Sequence, residues 1–500
     1  MKMIRAILSL CVLASGALAL PCAAATRNWS SNATNATWAN GPNWVGGVAP
    51  VNDLTTDFAS FDQTSYGPQP TATSGGNIAG LIFGNNLTST AAVTLSTSNN
   101  LARLNIGSGG ILVNSQSTAV TIGANSNQGL QVGASQAWTN NSGSLLSVAS
   151  FSNQSPGQNF TLTLNGTGTG GFAITGAIRN EYDAGNTGTL SFVIDTPSSV
   201  STSFSSANFT GTTTVTSGML VYTRTAARGG GSAVSVAASG SIGLGVGGSG
   251  FFNATAVDQL FANTLSGITM NATSGVGIDT SAGNFTYATS QSATRSLTKL
   301  GANTLTLSGN NTYSGQTFVN AGTLAVTGSI VGSGVTVRNG GTLAGNGTIS
   351  GSVTVNGGTI SPGNSPGTLT IDGALSLESL SLLDFELNAG DQTVGGGIND
   401  LITLGSDLIL DGTLDVTSSP LSTGTWRLFN YSGNLTDLGL TVGSISLAPS
   451  HSASIETSVL GQINLVVVPE PATIALLGSG VAMLGLRLVR RRQASARDRV

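Results

Sequence analysis

Along most of the chain Val, Leu, Ile and Thr alternate with small polar residues, as in Leu305-Thr306-Leu307, Val335-Thr336-Val337 and Val353-Thr354-Val355. A period of two places the apolar side chains on one face of a strand. The runs are short and are separated by Gly, Asn and Ser. This predicts many short strands joined by tight turns, with one face of each strand buried. Two stretches break the alternation and are continuously apolar: Ile7–Leu20 and Ala472–Val489.

The alternating body repeats. Leu297–Leu324 has a counterpart 104 residues upstream: Phe209 answers Tyr313, Gly211 answers Gly315, Thr213 answers Thr317, Val215 answers Val319, Gly218 answers Gly322 and Leu220 answers Leu324. A shorter period runs downstream. Gly322-Thr323-Leu324 recurs as Gly341-Thr342-Leu343 and Gly358-Thr359-Ile360, at steps of 19 and 17, and Val335 with Val337 recurs as Val353 with Val355 at a step of 18. At about 3.3 Å per strand residue such a repeat is one coil of a parallel β-helix. Inward Val, Leu and Ile then stack on equivalent residues one coil away, glycines serve bends of positive φ, and Asn suits the turns. Each coil contacts only its neighbours, so length needs no globular core.

Leu297–Leu324 closely resembles the autotransporter-associated β-strand repeat of bacterial passenger domains. Trp38–Trp44 with Pro50 and Phe61, the turn Gly358–Gly367, and Phe385–Asn388 look like other parts of the same family. The resemblance implies a right-handed parallel β-helix. It also sets a contrast: autotransporters end in a transmembrane barrel, whereas only about 105 residues lie between Pro362-Gly363 and Pro469 here, with no set of ten-residue lipid-facing strands. Self-transport is not expected.

The ends read as addresses. Lys2 and Arg5, the apolar Ile7–Leu20 and Ala23-Ala24-Ala25 form a secretory signal with cleavage after Ala25. Cleavage after Ala19, a lipoprotein signal at Cys22 (opposed by Pro21) and an uncleaved anchor are the alternatives. At the other end stand Pro469-Glu470-Pro471, then Ala472–Val489, then Arg490-Arg491-Arg492. Eighteen apolar residues just span a bilayer of about 30 Å. Arg487 could snorkel, and the arginines should stay cytoplasmic, leaving the body outside the inner membrane. The prolines hold the peptide before the membrane out of helix. Motif, helix and basic tail together closely resemble the PEP-CTERM sorting signal of Gram-negative bacteria. The resemblance implies recognition by an exosortase, a membrane protease; a plain tail anchor is the alternative. The expected fold is therefore all-β: a parallel β-helix (β-solenoid) body with an N-terminal signal peptide and a single C-terminal transmembrane sorting helix. The expected segments are 1–25, 26–200 with an N-terminal cap, 201–370 with the repeats, 371–467 and 468–500.

Composition narrows the function. Of 500 residues 70 are Gly and only 8% are charged. Nine of the 17 cations fall in the body against 19 of the 21 acids, a net charge of −10 that argues against a nucleic-acid partner. Cys11 and Cys22 precede the cleavage point, so no disulfide or Cys metal site is expected. Gly363–Gly367 fits G-x-S-x-G around Ser365, but prolines flank the serine and no helical pattern follows. Gly243–Gly248 fits G-x-G-x-x-G, again with no helix expected after it.

Asp384 and Glu386 share one strand face about 6.6 Å apart, near inverting-glycosidase spacing. Amphipathic alternation with Leu383, Phe385 and Leu387 explains them more simply. Asp400, Asp407, Asp411 and Asp415 have no diagnostic metal spacing. The one histidine, His451, reads as a surface turn residue. Trp38 and Trp44 read as a cap over the solenoid end rather than a sugar platform.

No catalytic, cofactor or metal residue is assigned. The expected function is a non-enzymatic surface or extracellular-matrix scaffold for adhesion, biofilm or exopolysaccharide contact, with an exosortase-type protease as partner and the inner membrane as an intermediate station. The alternatives are a polysaccharide lyase or hydrolase on the same fold, and a passenger that has lost its barrel and has no function of its own.

Overall fold

The computed structural model describes residues 24–470, except 34, 67–68, 73–75, 85–90, 98–102, 124–129, 155–156, 181–187, 204–206, 229–231 and 364–365. The expected signal peptide up to residue 23, Ser365, Pro471, Ala472–Val489 and Arg490–Arg492 lie outside the described residues. No helix among the described residues is long and apolar enough to cross a membrane. The chain divides into two compact units at Gly240/Ser241.

The second unit is a ladder of three-strand coils. One face stacks Gly275–Asp279, Leu297–Leu300, Thr317–Val319, Val335–Arg338, Val353–Asn356 and Leu375–Leu377, all parallel. A second stacks Thr304–Leu307, Gly322–Val326, Gly341–Gly345, Thr359–Pro362, Leu382–Glu386 and Thr413–Thr417. A third begins at Asn310–Asn311 and ends in an antiparallel hairpin.

The register follows the sequence steps: Leu324 pairs with Leu343 and Leu343 with Ile360, while Val335 and Val337 pair with Val353 and Val355. Because strand side chains alternate, this register puts Phe285, Leu305, Leu324, Leu343, Ile360, Leu383, Leu414 and Val442 in one column. From Leu305 to Leu414 every member is fully buried. At about 25 cal/mol per Å2 of apolar area such columns supply the core that a cysteine-free body needs.

The first unit is built likewise. Leu81, Ile111, Trp138, Leu164, Ile194 and Val215 form one buried inward column across parallel strands. Its start is closed by aromatic rings. Trp29 and Trp38 each meet Trp44 edge-on at 5.1 Å, Phe61 packs beneath all three, and Phe83 stacks on Phe61 at 5.2 Å. Trp44 Nε1 donates to the Trp38 carbonyl at 2.8 Å. All three indoles are buried and present no exposed ring face to a sugar.

The repeat glycines mark corners where one coil rests on the last. A Cβ on Gly315 would lie 2.2 Å from the Arg295 carbonyl carbon, and one on Gly211 would lie 2.1 Å from Leu190 O. Gly315→Ala is expected to cost about 1–3 kcal/mol of stability, the price of overpacking. Urea denaturation checks this; an unchanged midpoint would show that the corner gives way freely.

One element departs from the sequence reading. A helix, Ala254–Phe261, follows the glycine run Gly243–Gly248, where none was expected. Asn253 caps it by accepting from Ala256 N at 3.0 Å, and it buries Val257, Leu260 and Phe261. Arg295 closes its far end: Nε donates to the Phe261 carbonyl and Nη1 to the Asn271 and Ser274 carbonyls. Gly243 and Gly245 themselves lie in a strand paired with Gly277 and Asp279, so the run makes no phosphate loop.

Candidate functional site

The C-terminal coil is closed by two antiparallel strands, His451–Glu456 and Gln462–Pro469. The second is central: it pairs with Gly424–Tyr431 on one side and His451–Glu456 on the other. Ile463, Leu465 and Val467 are fully buried, which anchors the strand to the core. Exposure begins abruptly at Val468. Pairing does not stop there. Val468 lies opposite Ser452 and Pro469 opposite His451, and Glu470 N donates to Ser450 O at 2.7 Å.

The Ser450–Glu470 bond shows that His451 and Pro469 face each other at a position without ladder hydrogen bonds. A proline costs the ladder nothing there, because its missing N–H is not called upon. Ser450 enters the strand at φ +58°, a left-handed turn. His451 is no simple turn residue. Its Nδ1 lies 2.9 Å from the Pro449 carbonyl and its Nε2 3.2 Å from Thr423 Oγ1, so the ring ties the Pro449–His451 turn to Thr423 beside the motif. The peptide at Pro469-Glu470 is thus extended and also engaged by the fold.

The carboxylates singled out in the sequence go elsewhere. Asp384 and Glu386 lie on the outward face of Leu382–Glu386, with Leu383 and Phe385 buried behind them. Asp415 stands directly above Asp384 in the next coil. Burial first, then Asp415 and Glu386, push the Asp384 carboxyl upward. Glu386 lines an open surface depression with Pro366, Asn388, Ile398, Thr417 and Ser419; Asp384 does not. The two carboxylates therefore do not converge on one pocket.

Asp400 is buried and accepts from Gly367 N and Glu386 N, both at 2.7 Å; burial raises it to about 6 in spite of those bonds. It brackets the chain around the Gly363 turn, where Gly345 and Gly363 exchange both backbone bonds at 2.9 Å. Asp407 and Asp415 each accept from a backbone N–H in the following coil, Asn434 and Ser444, while Asp411 accepts from its neighbour Gly412. Among the described residues no three His, Cys, Asp or Glu side chains are grouped to hold a metal ion.

Two inward cations escaped the sequence reading. Arg295 is described above. Lys299 is fully buried in a column otherwise aliphatic, between Ile278 and Val319, and its Nζ donates to the carbonyls of Leu300, Gly301 and Ala321 at 2.7–2.9 Å. Both read as internal fasteners.

Comparison with known proteins agrees with this division into body and end. Residues 297–326 match the family described as passenger-associated-transport-repeat, and residues 467–493 match the PEP-CTERM protein-sorting motif. A stretch of 117 residues is 44% identical to the adhesin BmaC autotransporter of Brucella suis biovar 1 (strain 1330). That stretch is 23% of this chain and 3% of the relative, so the chain spans only a small part of the protein it resembles. Together these matches point to an exported surface protein. The chain is a β-solenoid that carries a passenger-associated-transport-repeat in its body and a PEP-CTERM protein-sorting motif at its C-terminal end.

Proposed function

We propose that this protein is a non-enzymatic scaffold of the cell surface or extracellular matrix of a Gram-negative bacterium, exported through its N-terminal signal, held for a time in the inner membrane by its tail, and processed at Pro469-Glu470-Pro471 by an exosortase-type protease. The observation that carries this reading is the direct passage of the stacked β ladder into the sorting motif, with no intervening domain. Adhesion, biofilm support or exopolysaccharide contact would then fall to the outward strand faces, which are rich in Thr, Ser and Asn. The similarity to a protein named as an adhesin supports that use, and the acidic body gives nucleic acid no footing. Removal of the N-terminal signal after Ala25 belongs to the same proposal.

Mass spectrometry of the mature protein is expected to find a C-terminus near Pro469–Pro471. Glu470→Ala, or Pro469→Ala with Pro471→Ala, is expected to retain the arginine-rich tail. An intact tail on the wild-type chain would leave only a membrane anchor. Deleting the gene is expected to reduce surface attachment or matrix, and unchanged attachment and matrix would remove the scaffold role.

A further inference from the structure

A peptide cut by a protease must be drawn out extended and stripped of its neighbours. Here the residues leading into the sorting motif are the last strand of the folded body. Val466 and Val467 are locked on both sides, by Thr425 and Gly424 and by Ser454 and Ala453. Val468, Pro469 and Glu470 are held on one side only, by Ser452, His451 and the Ser450 carbonyl. The end is therefore graded: a buried anchor at Val467, then three exposed residues on a light hold.

Such a hold opens far more readily than the whole fold, as strand ends do. We infer that this terminal pairing gates processing: the sorting motif is cut only when the segment from Val468 onward peels away from Ser450–Ser452. The His451 ring, fixed between Pro449 and Thr423, sets how often that happens. The inference rests on the reading of Pro469-Glu470-Pro471 as a processed sorting signal.

The test is pulse–chase conversion of the full chain in a Gram-negative host that makes an exosortase. Eight Gly/Ser residues inserted between Val468 and Pro469 move the motif off the hairpin while leaving Val467 and the core in place. The insertion releases one backbone hydrogen bond, Glu470 N to Ser450 O, which corresponds to roughly a two- to twelvefold rise in the open population, and conversion is expected to speed up within that range. His451→Ala, which leaves the backbone pairing intact, is expected to give a smaller rise of about twofold or less.

Conversion of the wild-type and spaced chains at the same rate overturns the gate while leaving the sorting signal standing. Cleavage of neither chain overturns the sorting reading and the gate with it. Cleavage of the spaced chain alone supports both.

Discussion

A chain carrying Leu343→Asp is expected to lose cooperative folding of its second unit. Leu343 is fully buried midway along the column from Phe285 to Val442, with Leu324 on one coil and Ile360 on the next. Truncating such a leucine to alanine already costs about 2–5 kcal/mol. An unpaired carboxylate in the same place adds the cost of leaving water without a partner. A solenoid cannot spread this loss, since each coil rests on its two neighbours alone. The expected result is loss of the β signal in circular dichroism and rapid thermolysin cleavage of the segment after Ser241. Thr342→Asp is the control. Its side chain points outward one residue away, and surface changes of this kind stay within about 0.5 kcal/mol. A Leu343→Asp protein that melts within a few degrees of wild type would mean that the column does not hold the unit together.

The same column shows why so much of the fold was legible in the sequence. A one-residue slip would turn every side chain to the wrong face, so the 17- to 19-residue steps had to correspond to strand pairing. The pairs Leu324–Leu343–Ile360 and Val335–Val353 are those that the spacing requires. The helix at Ala254–Phe261 left a signal too: Val257, Leu260 and Phe261 fall at i, i+3 and i+4 behind a capping Asn253. It was masked by a chain in which period two dominates on either side.

The terminal hairpin was less accessible. His451–Glu456 is mostly small and polar, and nothing local says that it folds back antiparallel upon the approach to the sorting motif. The motif could be located from Pro469, Glu470 and Pro471 alone. Its engagement depends on a partner strand 18 residues upstream, at His451. Lys299 was hidden for another reason. A lysine in an alternating strand is normally read as facing water, and only the register shows it between Ile278 and Val319.

Lys299 therefore makes the second large prediction. Its stem fills a place in the aliphatic column, and its ammonium satisfies three carbonyls at a corner where Gly301 has φ +78°. Lys299→Met keeps the stem and removes the donor. Leu300 O keeps its bond from Thr280 N, so the loss falls on the Gly301 and Ala321 carbonyls, at about 1–3 kcal/mol for each left buried without a partner, and removing a buried charge returns part of that. The net loss at pH 7 is expected to be about 2–3 kcal/mol, read from urea denaturation.

The pH dependence separates this from a packing defect. Burial pushes the Lys299 ammonium down to about 8, against the pull of Asp279. An amine whose folded value lies below its unfolded one holds its proton more tightly in the unfolded chain. The wild-type protein should therefore gain stability as pH rises from about 8 towards the unfolded lysine value near 10.4, by up to about 1.4 kcal/mol per unit. The buried tyrosines, raised by burial, act in the opposite sense once unfolded tyrosines ionise near pH 10, so the useful window closes at about 9.5. Between pH 7 and 9.5 the gap between wild type and Lys299→Met should widen by about 1–2 kcal/mol, because the methionine chain lacks the rise. Parallel profiles would show that the ammonium carries no burial cost, and that the three carbonyls alone set its proton affinity.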